Sequence, residues 1–220
     1  RNIMSTFPTA LIPEFAQYLH SFHSVDNEIF LRLQQSAKQH HVPEIWISPD
    51  EARALQWIIN ATQTKRVLEI GTLIGYSAMM MAYALPEDGK LITLEKESRF
   101  ADIAQSFWNE AKLTKKIQVL VGSATETFQN IFETESSFDF VFIDADKKNY
   151  HLYFEYALQI TRPHGIIALD NAFAFGQINQ SQTDDISVKY IQECNKKIIN
   201  DKRVFSVLLP VGDGLLLCTK

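Results

Sequence analysis

The stretch RVLEIGTLIGYS, residues 66–77, decides the fold. Arg66–Ile70 is a short apolar run around one carboxylate, Glu69, and it gives way at Gly71 to a loop ending Gly75-Tyr76-Ser77. A run this short, bounded by glycine, reads as a strand buried on both faces. The following Ser77–Leu85 has helical spacing. Outward from this unit the same alternation recurs. Lys90–Glu95, Ile117–Val121, Phe138–Asp144 and Gly165–Asp170 are short and apolar, and Ser98–Ala111, Ala124–Phe132 and Asn149–Thr161 are periodic. Strands alternating with helices predict an α/β fold, a doubly wound, mostly parallel sheet with helices on both faces. At the end, Thr183–Ile199 reads as a helix, and Val204–Leu209 and Leu215–Thr219 flank Gly212-Asp213-Gly214, a hairpin signal. The sheet is therefore expected to have seven strands and to finish in an antiparallel hairpin.

The chain ahead of Lys65 reads differently. Pro13–Phe22 and Asp26–His40 carry apolar residues at helical spacing, for example Ile29, Phe30, Leu33 and Ala37. Ser48-Pro49-Asp50-Glu51 is a helix start, with Ser48 as N-cap, proline in the first turn and acids beside it. Ala54, Leu55, Trp57, Ile58 and Ile59 are expected on the buried side of that helix. No repeat or linker divides the chain, so residues 1–220 are expected to form one domain, helical over 1–63 and α/β over 64–220.

Composition narrows the function. A formal charge of −5, from 21 basic and 26 acidic residues, lacks the basic face that nucleic acid needs. Lys196-Lys197 reads as a solvated helix face. The two cysteines, Cys194 and Cys218, have no metal-site or disulfide-framework spacing and suit a reducing compartment. No apolar run reaches the ~20 residues of a membrane span, and the N-terminus shows no signal-peptide pattern. A soluble, cytoplasmic protein is expected.

In open α/β sheets ligands sit beyond the carboxyl ends of the strands, so the last residue of each strand carries the chemistry. Gly71 and Gly75 allow a tight turn and close approach to the backbone. Ser77 can cap the next helix or donate to a carboxylate. The loop lacks the middle glycine of a dinucleotide fingerprint and the Gly-Lys-Ser/Thr of a P-loop. Glu69, buried in a strand, calls for a cationic partner such as an amino-acid ammonium; S-adenosylmethionine carries that group, and nicotinamide dinucleotides do not. Glu95, about 20 positions past the loop, is placed to accept ribose hydroxyls. Gly122-Ser123-Ala124 leaves room for a flat adenine.

Two further strands run straight into acids, Val141-Phe142-Ile143-Asp144 and Ile167-Ala168-Leu169-Asp170-Asn171. On neighbouring strands about 5 Å apart, two carboxylates repel unless a cation lies between them. Asp144, Asp170 and the Asn171 amide form an incomplete all-oxygen set that suits Mg²⁺, with Ca²⁺ or Mn²⁺ as alternatives. Lys147 beside that ion is placed to accept a phenolic proton or to stabilise a phenolate. Asp146 reads as a supporting or solvent-facing residue.

These blocks, ISPDEARAL (47–55), VLEIGTLIGYSA (67–78), FIDADKKNY (142–150), ALDN (168–171) and LPVGDGL (209–215), resemble the cation-dependent O-methyltransferase family of caffeoyl-CoA and catechol O-methyltransferases, small bacterial type. The resemblance runs from about Ile47 to the C-terminus. It implies a Rossmann-like methyltransferase fold and methyl transfer from S-adenosylmethionine to a small phenolic acceptor, helped by a divalent cation. It further implies that Asp144, Asp170 and Asn171 hold the metal and that Lys147 and Asp144 are catalytic. Ile47, Glu69, Gly71, Thr72, Ser77, Glu95, Ala124 and Asp144 would line the cofactor site, and a homodimer is implied. The sequence departs from the family pattern at Ala172-Phe173-Ala174-Phe175-Gly176, where relatives often carry tryptophan, and at Ala52-Arg53, where many have Gly-Gln. Two alternatives stay open on the residues alone: an NAD(P)-dependent oxidoreductase and a non-catalytic cofactor-binding protein on the same fold.

Overall fold

The computed structural model describes residues 12–23, 28–135 and 137–220. Among them lie strands β1 (Arg66–Ile70), β2 (Lys90–Glu95), β3 (Ile117–Val121), β4 (Phe138–Ile143), β5 (Thr161–Leu169), β6 (Phe205–Leu209) and β7 (Leu215–Thr219). The helices are α1 (Pro13–His23), α2 (Glu28–Gln39), α3 (Pro49–Ala61), α4 (Tyr76–Ala84), α5 (Ser98–Glu110), α6 (Ala124–Thr134), α7 (Tyr150–Ile160) and α8 (Ile186–Ile199). One seven-stranded sheet has the order β3-β2-β1-β4-β5-β7-β6. The first five strands pair in parallel, and β7 runs antiparallel to both β5 and β6. The strand order reverses between β1 and β4, which opens a crevice at their carboxyl ends.

The pleat explains the four consecutive apolar residues, Phe140 to Ile143, that end β4. Phe140 and Phe142 of β4 pack with α2, α3, α4 and α5, whereas Val141 and Ile143 pack on the opposite face with α6, α7 and α8. Successive side chains point to opposite faces, so a strand covered on both needs apolar residues at every position. Cys194 and Cys218 are free thiols buried in the second layer. No helix among the described residues is long and apolar enough to cross a membrane.

The sequence reading needs adjustment at several places. Trp57 is 70% exposed and Ala54 only half-buried, while Ala52, Leu55, Ile58 and Ile59 form the buried stripe of α3. Three- and four-residue spacing from Ala52 and Leu55 leads to Ile58 and Ile59 and turns Trp57 outward. β5 starts at Thr161 rather than Gly165, with a register irregularity opposite Pro163, where a missing N–H is tolerated. α8 starts at Ile186 because the Asp185 carboxylate caps it by accepting from Ser187 N at 2.8 Å. Residues 210–214 join β6 to β7, a longer turn than a bare Asp-Gly pair, with Gly212 and Gly214 at φ 57° and 88°. The expected helix start at Asp26 lies outside the described residues.

Candidate active site

The loop after β1 is built around contact with β4. Gly71 has φ 105°, and a Cβ there would lie 1.8 Å from the Asp144 carbonyl oxygen. Only glycine lets the two strand ends pass this closely. Asp144 N continues the ladder to Ile70 O at 2.9 Å, and Asp170 N does the same to Ile143 O at 3.1 Å. The acids therefore extend β4 and β5 in register.

Glu69 is fully buried beside its register partner Thr93. Its carboxylate accepts from Ser77 Oγ and, at 2.6 Å, from Thr93 Oγ1, which in turn accepts from Thr72 Oγ1 at 2.6 Å. Burial pushes Glu69 up to about 8, against the pull of these two hydroxyls. Its oxygens are thus already partnered, and Ser77 serves Glu69 rather than capping α4. Glu95, 8% exposed, accepts from Leu73 N at 2.7 Å and from Glu97 N at 2.9 Å, which pins the glycine loop to the end of β2.

A cavity of about 890 Å³ opens over the carboxyl ends of β1 to β4. Ile47, Gly71, Thr72, Ser77, Glu95, Ala124, Asp144, Lys147 and Asn171 line it, as do Trp46, Phe100, Tyr153 and Phe175. Glu69 and Asp170 lie behind this wall. Phe175 belongs to the 172–176 loop at which the sequence departs from the family pattern; Trp46, Phe100 and Tyr153 were missed. For Tyr153 a signal existed: Asp146 accepts from Asn149 Nδ2 at 2.7 Å and from Tyr153 Oη at 2.6 Å, partners one and two helical turns on. Another hollow of about 970 Å³ involves Arg66, Lys90 and Ile117 at the amino ends of β1 to β3, the wrong end of the sheet for a ligand.

Asp144 and Asp170 share a sheet face. Phe142 and Ala168 are register partners in the layer under α3 and α4, and the pleat brings the acids two residues on back to that side. Lys147 Nζ donates to Asp144 Oδ1 at 3.1 Å and to Tyr150 Oη, lying 4.4 Å from the centre of the Tyr150 ring. Burial raises Tyr150 well above its ordinary range, so the phenol meets the ammonium as a neutral acceptor. Asp170 is 3% exposed and is pushed up to about 7, first by burial and then by Asp144. Asn171 N donates back to Asp170 Oδ1 from a left-handed backbone, φ 57°.

Glu51, which the sequence presented as an ordinary acid in a first helical turn, is 1% exposed. Burial, followed by the neighbouring acids Asp170, Asp144 and Asp213, pushes it up to about 10. Its Oε1 is buried without a donor. Among the described residues no three His, Cys, Asp or Glu side chains converge as a ready-made metal group. A set of Asp144, Asp170 and the Asn171 amide needs only two such residues. Its oxygen chemistry, and an acidity that the Lys147–Asp144 pair offsets only in part, fit a hard divalent cation with open positions.

The comparisons agree with this architecture. Residues 20–220 match the family model described as O-methyltransferase. The chain is 33% identical over 206 residues to the catechol O-methyltransferase of Niastella koreensis, covering 91% of this chain and 93% of that one. It is 32% identical to the caffeoyl-CoA O-methyltransferase of Populus kitakamiensis, over 78% of this chain and 76% of that one. The crystal structure of the O-methyltransferase from Bacillus cereus in complex with SAH superposes with a TM-score of 0.85 at 31% identity, covering 93% and 96% of the two chains. The chain thus belongs to the O-methyltransferase family and is an S-adenosylmethionine-dependent enzyme, which displaces both the oxidoreductase and the non-catalytic alternatives.

Proposed function

We propose that this enzyme methylates a hydroxyl of a small catechol-like or caffeoyl-type phenol with the help of a divalent cation, Mg²⁺ foremost. The observation that carries the reading is that Asp144, at the wall of a cavity bordered by the glycine loop and Glu95 and paired with Lys147, shares a sheet face with Asp170 just behind that wall. Asp144, Asp170 and Asn171 would hold the ion. Bound there, a divalent ion supplies Lewis acidity that lowers the pKa of an acceptor hydroxyl.

The chain's own residues do the rest. Ile47, Gly71, Thr72, Ala124 and Asp144 shape the methyl-donor side of the cavity, and Glu95 offers its free lone pairs to the ribose hydroxyls. Glu69 acts through Ser77, holding that hydroxyl at the cavity wall. The phenol oxygen forms its bond to the methyl carbon as the methyl–sulfonium bond breaks. Lys147, steadied by Tyr150, holds the phenolate by charge as an ammonium, or as the neutral amine takes the phenolic proton. Phe175, 56% exposed beside the cavity, borders the acceptor. A homodimer in the cytoplasm is part of the same proposal; the buried free thiols support a reducing compartment, and light scattering checks the assembly.

Methyl transfer from S-adenosylmethionine to catechol, and to phenol with one hydroxyl, tests the reading with and without chelator. Turnover of catechol alone, lost in chelator and restored by Mg²⁺, is expected. Equal turnover of both acceptors in excess chelator would refute it.

A further inference from the structure

We infer that Asp213 is a positioning residue for acceptor choice. From the β6–β7 turn its carboxylate fixes the 172–176 loop, so that the Phe175 ring forms a set wall beside the acceptor and decides which phenolic hydroxyl meets the methyl donor. This rests on the acceptor reading above and assigns a role to a residue outside it.

Three observations carry it. First, the loop is held in a backbone that its residues disfavour. Ala174, Phe175 and Gly176 follow one another at φ 53°, 56° and 75°, and left-handed backbone is rare for a residue as bulky as phenylalanine. Such strain persists only where surrounding contacts over-determine it, and it clusters at ligand sites. Second, those contacts come from one turn. Asp213 Oδ2 accepts from Phe175 N at 2.7 Å, the Asp213 carbonyl oxygen accepts from Phe173 N at 2.7 Å, and the Gly214 carbonyl oxygen accepts from Ala172 N at 2.8 Å. A Cβ on Gly214 would fall 2.7 Å from Phe173 Cγ and 2.8 Å from Phe173 N, so the turn lies directly against the loop. Of these three bonds, the one to Phe175 alone uses a side chain, so residue identity matters there. Third, the strain gains nothing for the core at Phe175. Ala174 is buried with Val188 and Ile191 of α8 and anchors the loop, whereas Phe175 is 56% exposed and lines the cavity that has Asp144, Lys147 and Asn171 on its wall.

A catechol ring bearing one substituent can present either of its two hydroxyls to the methyl donor. The two poses put the substituent on opposite sides of the pocket. An aromatic wall fixed on one side touches the substituent in one pose only, and a wall that wanders loses that discrimination.

The test is the ratio of the two monomethyl products formed from 4-methylcatechol, with S-adenosylmethionine and Mg²⁺, by the full chain. Wild type is compared with Asp213→Asn, Asp213→Ala, Phe175→Ala and the double alanine variant. A product ratio does not depend on how much enzyme is folded, so a mere loss of stability leaves it unmoved. Asp213→Ala is expected to shift the ratio by about 3-fold or more and to raise KM for the phenol on the order of 10-fold, the scale of a methylene-sized contact in an apolar pocket. S-adenosylmethionine affinity should stay as in wild type. Phe175→Ala should shift the ratio similarly, and the double variant should match it within about 2-fold. Asparagine keeps an oxygen for Phe175 N and should restore the wild-type ratio. If alanine prevents folding, Asp213→Leu removes the acceptor with the side-chain volume kept. A wild-type ratio in the alanine or leucine variant overturns the inference, as does an unchanged ratio in Phe175→Ala, and both leave the metal reading intact. An asparagine variant as altered as alanine, or a double variant shifted well beyond both single ones, also overturns it, since Asp213 would then act other than through Phe175 N. Wild-type enzyme that leaves 4-methylcatechol unmethylated refutes the acceptor reading itself, and this inference with it.

Discussion

Replacing Gly71 with alanine tests how tightly the fold and the acid cluster are joined. At φ 105° an L side chain is strained, at a cost of about 1–3 kcal/mol. Gly176 supplies the control, because it too has positive φ, 75°, but an added Cβ there meets nothing within 4 Å. Both substitutions gain about 0.4–1 kcal/mol by restricting the unfolded chain, so Gly176→Ala should cost only about 1 kcal/mol net. At Gly71 the new Cβ would also sit 1.8 Å from the Asp144 carbonyl oxygen and 2.8 Å from its carbon. These are backbone atoms at a strand end fixed by the Asp144 N to Ile70 O bond, and they cannot swing aside as a flexible side chain would. Overpacking costs about 1–3 kcal/mol even where side chains can adjust, so Gly71→Ala should lose about 3–5 kcal/mol in all. Urea unfolding at pH 7, read by circular dichroism, gives both values. Failure of the Gly71 variant to fold lies on the expected side. Losses within about 0.5 kcal/mol of each other would refute the claim that contact with β4, rather than backbone conformation alone, requires glycine.

Other expectations follow from single contacts. Ser48→Ala removes the oxygen that accepts from Glu51 N at 3.2 Å and should cost about 1 kcal/mol in urea unfolding; no loss would remove the cap from α3. Glu69, raised to about 8 from 4.5 by burial, keeps its proton in the folded chain where the unfolded chain has released it. Its contribution to stability is therefore full below pH 4.5 and is lost as pH rises toward 8. Thr93→Val deletes a donor that favours the ionised form, so its cost should grow from about 1 kcal/mol near pH 5 to about 2–3 kcal/mol near pH 9; a pH-independent cost would contradict this. Tyr150→Phe deprives Lys147 of its phenol partner and should lower kcat on the order of 10-fold, part of the about 10²–10⁴ that a positioned acid–base group supplies. Unchanged methyl-donor affinity should accompany that loss, and an unchanged pH–rate profile would exclude Tyr150 from positioning Lys147.

Local pattern carried the fold a long way. Strands β1, β2, β3 and β7 begin and end where their apolar runs do, since strands packed into a sheet between helices are mostly apolar. Asp144 and Asp170 were legible for the same reason: an acid after four apolar residues marks a strand leaving the core. What sequence spacing does not carry is tertiary approach. Glu51 looks like any first-turn acid until the Gly212 turn, more than 100 positions away, comes to rest against it. Glu69 reads as a charge in want of a cation until register places Thr93 opposite and the turn into α4 brings Ser77 back. Trp57 failed on angle rather than composition, since an apolar residue two positions from a buried leucine points away from the core.

The most direct measurement is nuclear relaxation of S-adenosylmethionine labelled with ¹³C at its methyl group, bound to the enzyme without acceptor and titrated with Mn²⁺. With Asp144, Asp170 and Asn171 holding the ion beside the methyl donor, the methyl resonance should broaden strongly in wild type and stay sharp in Asp144→Ala at the same occupancy of methyl donor. A methyl signal that Mn²⁺ leaves unbroadened in the wild-type complex, or broadens equally in both proteins, would contradict an ion held by those strand ends.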